Sequence, residues 1–268
     1  MPKARVNDIQ IYYEVHGNGQ PLTLLCGFGG DTSHWRYMLP GLAAHFKVIL
    51  LDIRGTGQSD KPEMDCTMYI YANDVFELLN TLGIEKTNLL GVSFGGGLSM
   101  RFALEYPEKV MRLILVSTGA EPDPYINRII ENWMLVQEKI GRWEQLRLAS
   151  LHIFAPDMFK CNPERIREIE EASMKIPASL EARKRQAKAA ATGAVTLDMI
   201  SAIFHPTCII CGREDILSRP ALSEHIQQKI DGSRLFLIDG AGHGLIWEKP
   251  EEINQVIIDF LENVKTSH

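Results

Sequence analysis

The sequence predicts an α/β fold, a mostly parallel central sheet with helices on both faces and an all-helical cap, and three observations lead there. Short apolar runs of strand length recur along the 268 residues, amphipathic helical patterns lie between most of them, and one interval, 121–204, carries helical patterns and no strand. Runs that stay apolar throughout belong to strands buried on both faces, and such strands form parallel sheets covered by helices.

The elements follow in order. Val6-Asn7-Asp8-Ile9 and the alternating Gln10-Ile11-Tyr12-Tyr13-Glu14-Val15 read as an antiparallel hairpin, ended by the breakers Gly17, Asn18, Gly19 and Pro21. Buried strands are expected at Leu22–Cys26, Val48–Leu51, Leu89–Val92, Leu113–Val116, Cys208–Cys211 and Leu235–Ile238. Helical periodicity marks Trp35–Ala44, Met68–Leu82, Phe94–Tyr106, Pro220–Ile230 and Pro250–Val264. Between Glu121 and Phe204 the patterns are short, punctuated by Gly141, Pro156, Pro163, Pro177 and Gly193, and Asn162-Pro163-Glu164 and Pro177-Ala178 read as helix starts. Residues 1–120 and 205–268 are thus expected to form one core domain, with 121–204 inserted as the cap.

Composition narrows the function. With 45% hydrophobic and 23% charged residues the chain is neither disordered nor fibrous. Its 28 basic and 34 acidic residues give a net charge of −6, so nothing resembles the basic footprint that nucleic acid requires. The start, Met1 to Asp8, is polar and lacks the apolar stretch of a signal peptide, and no apolar run approaches the ~20 residues of a membrane span. A cytoplasmic protein without a membrane partner is expected. The five cysteines are odd in number and irregularly spaced, as for reduced thiols. Cys208 and Cys211 lie three apart in a strand and point to opposite faces, which argues against a redox or metal pair.

The chemistry-bearing segment is Gly91-Val92-Ser93-Phe94-Gly95, a G-x-S-x-G pentapeptide between an apolar strand and a helix. A serine on that turn is strained and exposed, and glycines two residues to either side leave room for strand and helix to cross. Ser93 then stands at a helix N-terminus, where developing negative charge is favoured. A serine hydroxyl needs a base, and the base an orienting acid. His243 sits in the Gly-rich loop Gly240-Ala241-Gly242-His243-Gly244 after a late strand, whereas His34, His45, His152, His205 and His225 lie in or beside helical patterns that suit packing or surface roles. Asp215 follows the strand ending at Cys211, and Glu121 and Asp123, after an earlier strand, are its rivals.

These motifs, in the order Ser93, Asp215, His243, resemble those of the α/β-hydrolase fold over nearly the whole chain. Leu25-Cys26-Gly27-Phe28-Gly29-Gly30 with Trp35 is similar to the family's oxyanion loop, and Asp52-Ile53-Arg54-Gly55-Thr56-Gly57-Gln58-Ser59-Asp60 to its Asp-x-Arg-Gly-x-Gly-x-Ser loop. The resemblance implies a Ser93–His243–Asp215 catalytic triad, an oxyanion hole from the backbone amides of Phe28 and Phe94, and no cofactor or metal. One position departs from it: the loop usually reads His-Gly, and Cys26 stands where the histidine would. Enol-lactone hydrolases, which the chain also resembles at Asn162-Pro163-Glu164-Arg165, often lack that histidine too. Cys26 is either a packed strand-end residue or an oxidation-sensitive thiol beside the pocket. Serine in place of aspartate at the elbow removes the dehalogenase and epoxide-hydrolase chemistries.

A serine hydrolase of small carboxylic esters or lactones is the expected activity, in the manner of a carboxylesterase or enol-lactonase. Carbon–carbon hydrolysis and cofactor-free perhydrolysis (haloperoxidase) use the same residues, and a ligand-sensing signalling protein can keep them, since Gly27-Phe28-Gly29 resembles a bacterial stress-signalling member. Within the cap, Trp133, Trp143 and Phe154 are the expected pocket residues; Met134, Met158, Phe159 and Met174 are further apolar candidates. Arg183, Lys184, Arg185 and Lys188 read as a solvated helix face ahead of a carboxylate anchor. The segment 121–204 holds 12 basic and 12 acidic residues, so the whole −6 falls on the remainder.

Overall fold

The apolar runs form an eight-stranded sheet in the computed structural model, which describes residues 2–177 and 179–263. The strands are β1 (Lys3–Val6), β2 (Ile9–His16), β3 (Pro21–Leu25), β4 (Lys47–Leu51), β5 (Thr87–Val92), β6 (Val110–Val116), β7 (Thr207–Gly212) and β8 (Arg234–Ile238). Their spatial order is β1-β2-β4-β3-β5-β6-β7-β8; β1 and β2 pair antiparallel, β2 is antiparallel to β4, and every later pairing is parallel. Asn7 turns the β1–β2 hairpin at φ 52°, a left-handed conformation that Asn tolerates better than most side chains.

Alternation along the strands divides the core. Leu89, Leu113, Leu115 and Ile209 pack on one face with α2 (Met68–Thr81) and α3 (Phe94–Glu105), whereas Leu90, Ile114, Val116 and Ile210 pack on the other with Trp35, Met38 and Leu42. The two faces are filled because strand period two sends neighbours to opposite sides. The expected helix 35–44 is instead a 3₁₀ turn, Thr32–Trp35, followed by the five-residue α1 (Leu39–Ala43). Pro40 lies in the first turn of α1, where it supplies no N–H and restricts the residue before it, so a helix starts there rather than running through.

After β6 the described chain runs through α4 (Pro124–Lys139), α5 (Arg142–Ile153), α6 (Pro156–Cys161), α7 (Pro163–Lys175), α8 (Leu180–Gly193) and α9 (Leu197–Ile200) before re-entering the sheet at β7 beside β6. Pro163 occupies the first turn of α7, but the Asn162 side chain makes no capping bond. Ser179 caps α8 through Ala182 N at 3.2 Å; the expected start at Pro177-Ala178 falls in part on Ala178, which lies outside the described residues. α10 (Pro220–Lys229), α11 (Leu245–Glu248) and α12 (Pro250–Asn263) complete the chain, and Val264, the expected end of the last helix, is likewise outside the described residues. Among the described residues no helix is long and apolar enough to cross a membrane. Cys208 and Cys211 are free, buried thiols on β7, and burial pushes both up to about 12.

The loops at the carboxyl ends of the strands are tied to one another. Asp52, just past β4, accepts Thr32 N at 2.8 Å and Gln58 N at 2.7 Å, while Arg54 forms a buried bidentate pair with Asp74 on α2 at 2.6 and 2.9 Å. The loop after β3 is thereby held from the side of β4.

Candidate active site

At the end of β5 the chain reverses into α3 through Ser93, whose φ of 55° and ψ of −116° lie outside the ordinary allowed regions. The crossing is tight: a Cβ on Gly91 would stand 2.1 Å from Gly95 O, and a Cβ on Gly95 2.1 Å from Leu25 O. No side chain fits at either place. The loop after β3 passes directly beside the serine, since the Cβ position of Gly27 is 3.5 Å from Ser93 Cβ. That loop is closed by Gly30 N donating to Gly27 O at 3.1 Å and held by Gly29 N donating to Gln186 Oε1, on α8, at 2.9 Å. The amides of Phe28 and Phe94 donate to no protein acceptor among the described residues, which leaves two N–H groups free beside Ser93.

His243 comes from the loop between β8 and α11, and its Nδ1 lies 2.9 Å from Asp215 Oδ2. Asp215 is buried, and its other oxygen accepts Leu217 N at 2.9 Å and Ser218 N at 2.8 Å, so the carboxylate cannot swing away. With a carboxylate at Nδ1, a neutral ring carries its proton on that nitrogen and leaves a lone pair on Nε2. Asp123 is engaged elsewhere: it caps α4 and pairs with Arg219 at 2.6 Å, while Glu121 is exposed. The histidine loop is itself fastened by Glu248, which accepts Gly242 N at 2.9 Å and Ala155 N at 3.1 Å and whose carboxyl burial pushes up to about 7.

Ser93, His243, Phe28 and Phe94 line one cavity of about 230 Å³ roofed by the helices between β6 and β7. Trp133 and Phe154 line it too; Trp143 does not. The reason is helical phase: Arg142, Gln145, Leu146, Ala149, Ser150 and Ile153 form the inward stripe of α5, and Trp143 lies about 90° from the centre of that stripe, just past its edge at Ser150. Met134, Met158, Phe159 and Met174 are also outside the lining. Cys26 lines the cavity as a packed residue, its Sγ donating to Asp31 O at 3.0 Å, and burial pushes its thiol well above the usual range, which disfavours the thiolate.

Among the cavity residues that the sequence does not place there are Arg142, Gln145 and Trp247, and His34, which reads from the sequence as a packing or surface histidine. Burial pushes the His34 imidazole down to about 4, so it is neutral at pH 7, and its ring meets Trp247 edge-on at 5.1 Å. The basic cluster on α8 divides. Lys184 pairs with Glu138 and Glu181, Lys188 pairs with Asp65, and Arg183 turns into the cavity. The signal available in the sequence was the i, i+3, i+4, i+7 spacing from Arg142, which contains a charged residue on an otherwise inward face. Among the described residues no group of three or more His, Cys, Asp or Glu could hold a metal ion.

Residues 20–250 match a family model described as the alpha/beta hydrolase fold. A thermophilic esterase from Thermogutta terrifontis, solved with malate bound, shares 28% identity at a TM-score of 0.90, covering 99% of this chain and 100% of that one. The enol-lactonase from Burkholderia xenovorans LB400 has 24% identity at a TM-score of 0.88 over 97% and 99% of the two chains, a likeness of fold. A putative carbamate hydrolase, RutD, of Azorhizobium caulinodans is 28% identical over 262 residues, 97% of this chain and 98% of its own length.

Proposed function

The chain belongs to the α/β hydrolase fold family, and on that premise we propose that it is a serine hydrolase of small carboxylic esters or lactones acting through an acyl-enzyme on Ser93. The observation that carries this reading is the strained turn of Ser93 in the same cavity as a histidine whose Nδ1 is held by a buried carboxylate. Ser93 Oγ attacks the carbonyl carbon as its proton passes to His243 Nε2, and Asp215 stabilises the imidazolium that forms. The carbonyl oxygen takes up the negative charge and receives the N–H groups of Phe28 and Phe94, supported by the N-terminus of α3. Collapse expels the alcohol oxygen, which takes the proton from Nε2. Water then enters, gives its proton to Nε2, and releases the acid by the reverse steps.

The relatives named carbamate hydrolase support a second substrate for the same machinery, an acyl carbon bonded to nitrogen. Both readings are tested together. Turnover of p-nitrophenyl acetate and of a carbamate is measured beside active-site titration with a fluorophosphonate and mass mapping of the adduct. Multiple turnovers with one label per chain on Ser93 are expected. A label elsewhere overturns the assignment, and a label on Ser93 without multiple turnover turns the reading toward a ligand sensor.

A further inference from the structure

Two guanidinium groups line this cavity without an ion pair among the described residues. Arg183 Nη1 donates to Gln137 Oε1 at 2.6 Å and Gln145 Oε1 at 3.0 Å, and Arg142 Nη2 donates to Ser173 O at 2.7 Å. All three acceptors are neutral, so they orient the groups without cancelling the charge. Nε of both arginines and Nη1 of Arg142 are buried with no hydrogen-bond partner, as is Gln186 Nε2 one turn along α8 from Arg183. The acidic residues of the cavity bond other groups, Asp123 pairing with Arg219 and Glu170 accepting Ser150 Oγ at 2.5 Å while Glu121 is exposed, and among the described residues none forms an ion pair with either arginine. Asp31 is close enough to favour the charge on Arg142 but is occupied by Ser33 N and Oγ. Burial pushes the Arg183 guanidinium down to about 10, and the Arg142 charge adds to that.

Unpaired buried cations oppose folding, and an anion that enters between them removes the penalty. Both arginines line the cavity, so an anion held there meets two guanidinium groups whose hydrogen bonds are incomplete. Their position also fixes the ligand: the Arg183 guanidinium lies 5.2 Å from the centre of the Phe28 ring, and its Nε is 3.0 Å from the Cβ position of Gly29. The charge therefore sits beside the loop that carries the Phe28 amide, in the cavity that Ser93 also lines.

We propose that Arg142 and Arg183 form an anion subsite for a carboxylate carried by the substrate, making the preferred substrates short carboxylate-bearing esters or lactones. The substrate assignment rests on the hydrolase reading of Ser93; the binding of the anion does not. A planar carboxylate matches the edge of a guanidinium fork, and charge-assisted bonds of this kind are the strong ones.

The test pairs monomethyl glutarate with its neutral isostere, methyl glutaramate, followed by proton release. The wild type should favour the carboxylate in kcat/KM by about tenfold to a hundredfold, the worth of one or two charge-assisted bonds. Arg142→Gln and Arg183→Gln should bring that ratio toward one, and Arg183→Lys, which keeps the charge and loses the fork, should fall between. Binding is read separately on Ser93→Ala: glutarate should raise the thermal midpoint, glutaramide should not, and the rise should vanish with Arg183→Gln. Equal rates on the two esters, an unchanged ratio in the glutamine variants, or stabilisation by inorganic phosphate and not by glutarate would each overturn the subsite. If neither ester is cleaved while glutarate still binds through Arg183, the hydrolase reading falls and the subsite stands. Cleavage of p-nitrophenyl acetate with no carboxylate preference and no glutarate binding leaves the hydrolase and removes the subsite.

Discussion

At Ser93 the backbone is held at φ 55°, where any side chain with a Cβ is strained and glycine is not. This separates two substitutions that should be equally inactive. Ser93→Ala and Ser93→Gly both remove the hydroxyl, and each should lower kcat by about 10⁴-fold or more. Ser93→Gly also relieves the strain, so it should be about 1 kcal/mol more stable than Ser93→Ala; equal midpoints in urea would show that the turn is not strained. Asp215→Asn keeps an oxygen for Leu217 N and Ser218 N but offers an N–H to His243 Nδ1, forcing the proton onto Nε2. A loss of about 10³- to 10⁴-fold is expected in kcat with little change in fold, and a loss under tenfold would move the orienting acid elsewhere. Glu248 supplies a pH signature. Its carboxyl has an ordinary value of 4.5 and is pushed to about 7 by burial in the folded chain, so the folded state holds the extra proton between these values. Stability from this group is full below about 4.5 and is lost as pH rises to about 7. Asp52, raised to about 6 by burial, acts with the same sign. The readout is therefore the difference between wild type and Glu248→Gln: from pH 5 to 7.5 the wild type should lose more stability than the variant. Parallel curves would remove Glu248 as the cause.

The helix α8 joins two jobs at the loop that carries Phe28 and Gly29. Gln186 is 2% exposed and its Oε1 holds Gly29 N, while Arg183, one turn earlier, faces the substrate space. Gln186 is a positioning residue, since it touches the loop and acts through the Phe28 amide. Gln186→Leu, close in volume, should release the loop and lower kcat by about tenfold with a smaller change in KM, because a misplaced donor is felt most where charge develops. A rise in KM alone would make it a binding contact instead. How such elements read from the sequence follows from their surroundings. Strands on both faces of the sheet announce themselves as apolar runs, and Ser93, Asp215 and His243 sit in short turns where Gly spacing marks them. The inserted helices do not announce their inward faces, because one side meets the core, another meets a cavity that accepts polar groups, and only tertiary packing says which. Trp143 therefore reads from the sequence as a pocket residue, although it is its neighbour Arg142 that lines the cavity. Likewise Arg183 reads from the sequence as one of a cluster with Lys184, Arg185 and Lys188, although of these Lys184 and Lys188 pair with acids and Arg183 lines the cavity.

Over the whole molecule, charge is unevenly shared: the segment 121–204 is neutral with 12 basic and 12 acidic residues, and the rest carries −6. A net negative body repels an anionic substrate at a distance, whereas the two arginines attract it only once it is inside. These effects differ in range. At 0.01 M salt the screening length is about 30 Å, long enough for the whole body to act, and at 0.15 M it is about 8 Å, which leaves mainly the contacts within the cavity. The exposed bases of α8 add little attraction, since Lys184 and Lys188 already face Glu138, Glu181 and Asp65. Raising salt over this interval should thus increase kcat/KM for monomethyl glutarate, by about twofold as long-range repulsion is screened, and leave methyl glutaramate unchanged. The opposite slope, a fall with salt for the carboxylate ester, is what recognition by an exposed basic face would produce. It would place the anion on the surface lysines and not between Arg142 and Arg183.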